Sequence, residues 1–239
     1  MVRLAFFLVL ITVVMMAILP RRMSTLTDFG QPYAALQQEN YFRELKEVNR
    51  LKVAAPGHPD LYKAMLTFGN TLWSLKRYAE ADQQFSGVWE ARVKSNEAYD
   101  QLFVDACINL GGVRRDSAAF ENAVACYKTV LEYDTKRLPP NDARLVRDRT
   151  NLGVVLYLQG KSEGNKVKRD ALFAESMQHL KSAITLQHTL VPAGSVREGN
   201  IGQSLAYVYK SMDDKDSYNR ELNAARIMQS LQKRSTKEP

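Results

Sequence analysis

The side chains most able to do chemistry are few in this sequence, and they do not gather. Cys107 and Cys126 stand nineteen residues apart, and His58, His179 and His188 do not join them at metal-ligand spacing. His179 and His188 are nine residues apart on one helical stretch, which is not ligand spacing either. No serine sits in a G-x-S-x-G elbow, and no H-E-x-x-H, dinucleotide fingerprint or phosphate-cradling loop occurs. Gly111-Gly112 and Gly160 lie near basic residues, but they read as turns between helices. Asp213-Asp214 falls in a polar turn. Catalysis needs titratable groups within reach of one another, so no catalytic residue, no metal and no cofactor is expected. Binding is the class that remains.

A binding surface needs a scaffold, and the scaffold here reads as helical. The chain has 239 residues, 45% of them hydrophobic and 25% charged, ordinary values for a globular protein. Few runs alternate with the period of a strand. Of the net charge of +7, Arg3, Arg21 and Arg22 supply three, which leaves +4 for the rest of the chain. No basic run interleaved with aromatics and no nucleic-acid module accompanies it, so nucleic acid is not an expected partner. Residues 4–19, LAFFLVLITVVMMAIL, are apolar except for Thr12 and end at Pro20-Arg21-Arg22. That length is at the short edge for a spanning helix of about 17 to 25 residues. Met15 and Ala17 make a poor cleavage pair. Residues 1–22 are therefore read as an uncleaved N-terminal membrane anchor, crossing through residues 4–19 with the body outside the cytoplasm. The alternative is a cleaved signal, which would give a secreted or periplasmic binding subunit. Residues 23–32 read as a linker and residues 233–239 as a polar tail.

Between them, residues 33–232 carry a recurring helical pattern. Leu36, Tyr41, Phe42, Leu45, Val48 and Leu51 recur at threes and fours, as a capping helix would require. Pro56-Gly57-His58-Pro59-Asp60 closes that helix, and Pro59 and Asp60 suit the first turn of the next. One amphipathic helix then covers about Asp60 to Leu75, and a second puts Tyr78, Ala81, Phe85, Val88 and Trp89 on one face. Phe120, Ala123, Tyr127 and Val130 repeat Tyr78, Ala81, Phe85 and Val88 after 42 residues, and Gly153 follows Gly69 after 84. The second copy begins with a helix over about Ala98 to Leu110 and a long loop, Gly111 to Asp116. The third copy contains Phe173, Ser176, Leu180 and Ala183, and Gly160 to Asp170 reads as an eleven-residue insertion between its helices. The fourth has Ala206, Tyr209, Tyr218, Leu222 and Ala225, and Ala206 follows Gly153 by 53 residues, one period plus the same insertion.

These residues resemble the tetratricopeptide (TPR) repeat, in the longer variant of about 42 residues found in kinesin light chains. The resemblance implies an all-α, right-handed α-solenoid of stacked helix–turn–helix repeats, which would follow the N-terminal membrane helix read from residues 4–19. It puts Cys107 and Cys126 on the two helices of one repeat, either as small buried thiols or, with the body outside the cytoplasm, as a bridge. It also implies a concave groove, lined by first helices, that holds an extended peptide or a helix. Carried over position by position, the groove residues are Lys63, Asn70 and Trp73, then Arg147, Asn151 and Tyr157, then Tyr207 and Lys210. The asparagines are suited to a peptide backbone, the aromatics to anchoring, and the cations to an acidic protein or peptide partner. The expected function is a non-catalytic scaffold or adaptor at the membrane. An accessory subunit of an enzyme complex is the further alternative. Lys161, Lys166, Lys168 and Arg169 in the insertion are a second possible contact, for anionic lipid, against a solvated loop.

Overall fold

A computed structural model describes residues 30–93, 100–191 and 195–235, and among these every regular element is an α-helix. The apolar segment 4–19 lies outside the described residues. No helix among the described residues is long and apolar enough to cross a membrane. In chain order the helices are α1 (Gly30–Ala54), α2 (Pro59–Ser74), α3 (Tyr78–Arg92), α4 (Gln101–Asp116) and α5 (Phe120–Arg137). They continue as α6 (Ala143–Ser162), α7 (Lys166–Leu190), α8 (Val196–Ser211) and α9 (Lys215–Ser235). Each packs on the next, and α4 and α8 also touch the preceding first helices α2 and α6. This is the expected succession of four helix pairs behind a capping helix. The edges differ slightly: α1 takes in Gly30–Pro32 of the expected linker, and α9 takes in Lys233–Ser235 of the expected tail.

The first helices start where side chains satisfy free backbone donors. His58 Nδ1, Asp100, Asp142 and Ser195 accept from the backbone N–H groups of Asp60, Phe103, Arg144 and Glu198. The turns inside three of the pairs share another device. Lys76, Ala118 and Asp213 adopt φ of 60°, 62° and 60°. Around each, an N–H reaches back five residues to a carbonyl: Arg77 to Leu72, Ala119 to Arg114, Asp214 to Tyr209. That is the Schellman closure, which favours glycine at the left-handed position. None of the three is glycine. Ala118→Gly is therefore expected to raise stability by roughly 0.5–1 kcal/mol, the relief of strain outweighing the added freedom of the unfolded chain. Thermal melts would show this as a higher Tm, and an unchanged or lower Tm would contradict it.

Within each pair, a residue without a side chain lets a large one in. A Cβ on Gly69 would lie 2.5 Å from the Phe85 ring, and one on Gly153 would lie 2.7 Å from Leu180. Phe85, Leu180, Ala81, Ala123 and Ser176 are all fully buried. Ser176 also donates to the Gly153 carbonyl at 2.6 Å.

Two expectations about loops are overturned. Gly111 to Asp116 is not a loop but the last two turns of α4. Gly111 lies 42 residues from both Gly69 and Gly153, and a Cβ there would meet the Tyr127 ring at 2.8 Å. A Cβ on Gly112 would fall inside the Trp73 indole. Both glycines serve close approach between helices, so helix propensity yields to packing. Gly160 to Asp170 is not a loop either. Helix α6 has 20 residues against 16 in α4, and α7 has 25 against 18 in α5, which absorbs the insertion and leaves a turn over 163–165. Asn165 caps α7 by accepting from the Lys168 N–H, and Gly160 admits Phe173 against α6. The Gly153–Ser176 register is kept, so the extra turns extend the tip of the α6–α7 hairpin.

Candidate interaction surface

The faces of α2, α6 and α8 carry the residues singled out from the sequence. Lys63 is exposed and lies 3.4 Å from Asp60. Asn70 is exposed on α2. Tyr207 is exposed on α8, and Lys210 extends over the Tyr218 ring at 5.5 Å. Tyr157 is half-buried, its ring 5.9 Å from Phe173 and its hydroxyl 3.5 Å from Ser211 Oγ.

Trp73 and Arg147 have structural partners. Trp73 lies over Gly112 of the next repeat, edge-on to Phe85, and its indole N–H donates to Asp116 Oδ2 at 2.9 Å. Arg147 donates to Asp148 Oδ1 at 2.8 Å and to Asp134 Oδ2 at 3.2 Å, and both aspartates are buried. Two carboxylates face one guanidinium there. Burial, and then Asp134 beside it, push the Asp148 carboxyl up to about 7 against the pull of Arg147. Among the described residues, Asp134 Oδ1 and Asp148 Oδ2 have no hydrogen-bond partner.

The same end of the other repeat joints also holds a buried acid. Arg92, one period before Asp134, donates at 2.7 Å to Asp100, which is 2% exposed. His188 Nε2 lies 2.5 Å from buried Glu198 Oε1 across the last joint. These pairs tie successive repeats together. No group of three or more His, Cys, Asp or Glu among the described residues is placed to hold a metal ion. Cys107 and Cys126 are free and buried in the interface of α4 and α5, and burial pushes both thiols up.

Sequence reasoning passed over one residue on this surface. Asn151 is half-buried on α6, and Asn109 occupies the same place on α4, 42 residues earlier. Among the described residues neither side chain is held by a hydrogen bond, so each keeps its amide donor and acceptor. Thr67 and Ser204 occupy the matching positions on α2 and α8, where their hydroxyls donate to the carbonyls of Lys63 and Asn200. The period that links Gly69 to Gly153 also links Asn109 to Asn151, and it was the available signal. At the start of this row, Ala64 and Thr67 floor an open pocket of about 500 Å³ walled by Arg43, Lys46, Arg50, Glu44 and Glu47 of α1.

No protein-family model matches the sequence, and no curated protein matches it. Solved structures do resemble the fold. A Podosopora anserina protein of nearly identical, kinesin-light-chain TPR-like repeats superposes with a TM-score of 0.70 at 14% identity, covering 89% of this chain and 97% of its own. A single-residue variant of that protein gives a TM-score of 0.72 at the same identity and coverage. MamA residues 41 to the end, from Desulfovibrio magneticus RS-1, gives 0.55 at 16% identity, covering 84% and 96%. The chain therefore has the TPR-like fold.

Proposed function

We propose that this protein is a non-catalytic scaffold, tethered to a membrane through residues 4–19, that holds an extended acidic segment of a protein partner along its first helices. The observation that carries this reading is the pair Asn109 and Asn151. They stand one repeat apart on neighbouring first helices, and their amides have no hydrogen bond among the described residues. A peptide backbone presents donors and acceptors that such amides match. Tyr207 and Tyr157 supply aromatic surface beside them, and Lys63, Lys210 and the cations of the α1–α2 pocket supply charge for an acidic segment. Trp73 and Arg147 contribute through the shape of the surface, since both are held by neighbouring repeats.

The test is an array of acidic and basic dodecapeptides probed with the full-length protein. Binding to acidic peptides is expected, weakened about tenfold in Asn109→Ala/Asn151→Ala, which removes two hydrogen-bonding amides of about 0.5–1.5 kcal/mol each. Lys63→Glu/Lys210→Glu is expected to remove the acidic preference. Equal binding of acidic and basic peptides, or asparagine variants that bind as tightly as the wild type, would refute the reading.

A further inference from the structure

Two parts of the molecule project past the same edge of the repeat stack. The first is α1. Tyr41 packs on Phe68, and the Arg77 guanidinium lies 4.6 Å over its ring, which aligns Tyr41 with the α2–α3 turn. The eleven residues from Gly30 to Asn40 therefore run beyond that turn, by about 16 Å at 1.5 Å per residue. The second is the α6–α7 tip, which stands roughly 6–10 Å further out than the short turns because the inserted residues all fall there.

The exit of α1 decides what this edge faces. Residues 1–29 lead into Gly30, and the apolar run 4–19 ends eleven residues before it. An extended linker of that length spans at most about 40 Å. An apolar segment seated in a bilayer would keep the α1 end of this edge within that distance of the bilayer surface.

The chemistry of the tip matches such a surface. Lys161, Lys166, Lys168 and Arg169 stand against Glu163 and Asp170, a net charge of +2 over ten residues. Asp170 draws on Lys166 at 2.6 Å and Arg169 at 3.6 Å, so Lys161 and Lys168 are the less neutralised pair. Between them Val167 is 78% exposed, an apolar side chain at the most outward turn. Nothing lies within 4 Å of a Cβ at Gly164, so the turn itself is open on its outer side. The next turn along the edge, with Asp213, Asp214 and Asp216 beside Lys215, is acidic and short. The inserted turns carry the basic tip past it by about one screening length at physiological salt.

We propose that the α6–α7 tip is a second membrane contact, in which Lys161, Lys166, Lys168 and Arg169 engage anionic lipid headgroups and Val167 enters the interface. This rests on the membrane tether proposed above. Cations near an anionic leaflet contribute about 1 kcal/mol each, and an inserted apolar side chain adds to that. The contact would fix the orientation of the scaffold and leave the first-helix surface open to its partner.

The experiment uses the full-length protein with Val167→Cys carrying an environment-sensitive NBD dye. Cys107 and Cys126 are buried, so position 167 is the accessible thiol among the described residues. Flotation with phosphatidylcholine vesicles reports the tether, and NBD emission reports the tip. On vesicles with about one third phosphatidylglycerol the dye is expected to brighten severalfold and shift to the blue. The change should disappear at about 0.5 M salt and in a Lys161→Glu/Lys166→Glu/Lys168→Glu form that still floats. Reversal of three cations corresponds to a loss of at least about a hundredfold in tip contact. Unchanged emission on anionic vesicles, or a change that survives the charge reversal, overturns the proposal. Failure to float with phosphatidylcholine overturns the tether alone, because the dye on anionic vesicles still decides the tip.

Discussion

Raising the pH from about 5.5 to 8.5 is expected to destabilise this protein relative to its Asp148→Asn form, by about 1 kcal/mol. Asp148 titrates in the unfolded chain near its usual carboxyl value, about 4. In the folded chain, burial and the adjacent Asp134 raise it to about 7. The folded state therefore binds the extra proton between about pH 4 and 7, and the unfolded state does not. Stability must fall as pH rises through that window and level off above it. A fully realised shift would cost about 1.4 kcal/mol per unit. We take roughly half of that, because Arg147 lies against the pair and is one-third exposed.

His179 acts in the opposite sense. Burial lowers it, helped by Arg149 and Lys128, so acid destabilises the fold at this residue. The raw pH profile mixes the two, and the difference between wild type and Asp148→Asn isolates the pair. Urea unfolding at the two pH values measures it. A wild type that gains on Asp148→Asn as pH rises would contradict the raised carboxyl of Asp148. Arg147→Leu supplies a companion result. It removes a guanidinium that pairs with both buried carboxylates and should cost about 3 kcal/mol at pH 8.5. At pH 5.5, where Asp148 carries its proton, the loss should be smaller.

The second large effect is at Gly112. A side chain there enters the volume of the Trp73 indole, which is held by Asp116 and by the edge of Phe85. Gly112→Val is expected to cost about 2–3 kcal/mol through overpacking between the first two repeats. Trp73→Phe removes the far ring of the indole, so the double variant should recover part of the loss. Its coupling energy should be favourable and about 1 kcal/mol or more. Additive effects of the two substitutions would mean that Trp73 does not pack on Gly112. Trp73 variants must therefore be judged on stability before any loss of binding is assigned to a missing anchor.

These two sites also mark how far the sequence could be read. The repeat was legible because its signals are local and periodic. Ala81, Phe85 and Val88 return as Ala123, Tyr127 and Val130, and Gly69 returns as Gly153, so helix pairing, register and the eleven extra residues followed from spacing alone. The helix start at Pro59 and Asp60 belongs to the same class, since it needs only the residues of its own first turn.

What spacing did not decide was the state of segments whose local preference opposes their neighbours. Gly111-Gly112 favours a turn in isolation, yet the rings of Tyr127 and Trp73 need both glycines inside a helix. The run from Gly160 to Asp170 is polar and rich in glycine, yet pairing across α6 and α7 continues the helices through most of it. Arg147 reads as a groove cation until Asp134 and Asp148 are brought against it from either side of a joint. Asn109 acquires interest only when its position lines up with Asn151 on the next first helix. Periodicity determined which helices form and which faces they bury. Contacts between residues 13 to 43 apart decided which polar side chains were left to meet a partner, because only the packed repeats show which charges are already neutralised and which side chains are already covered.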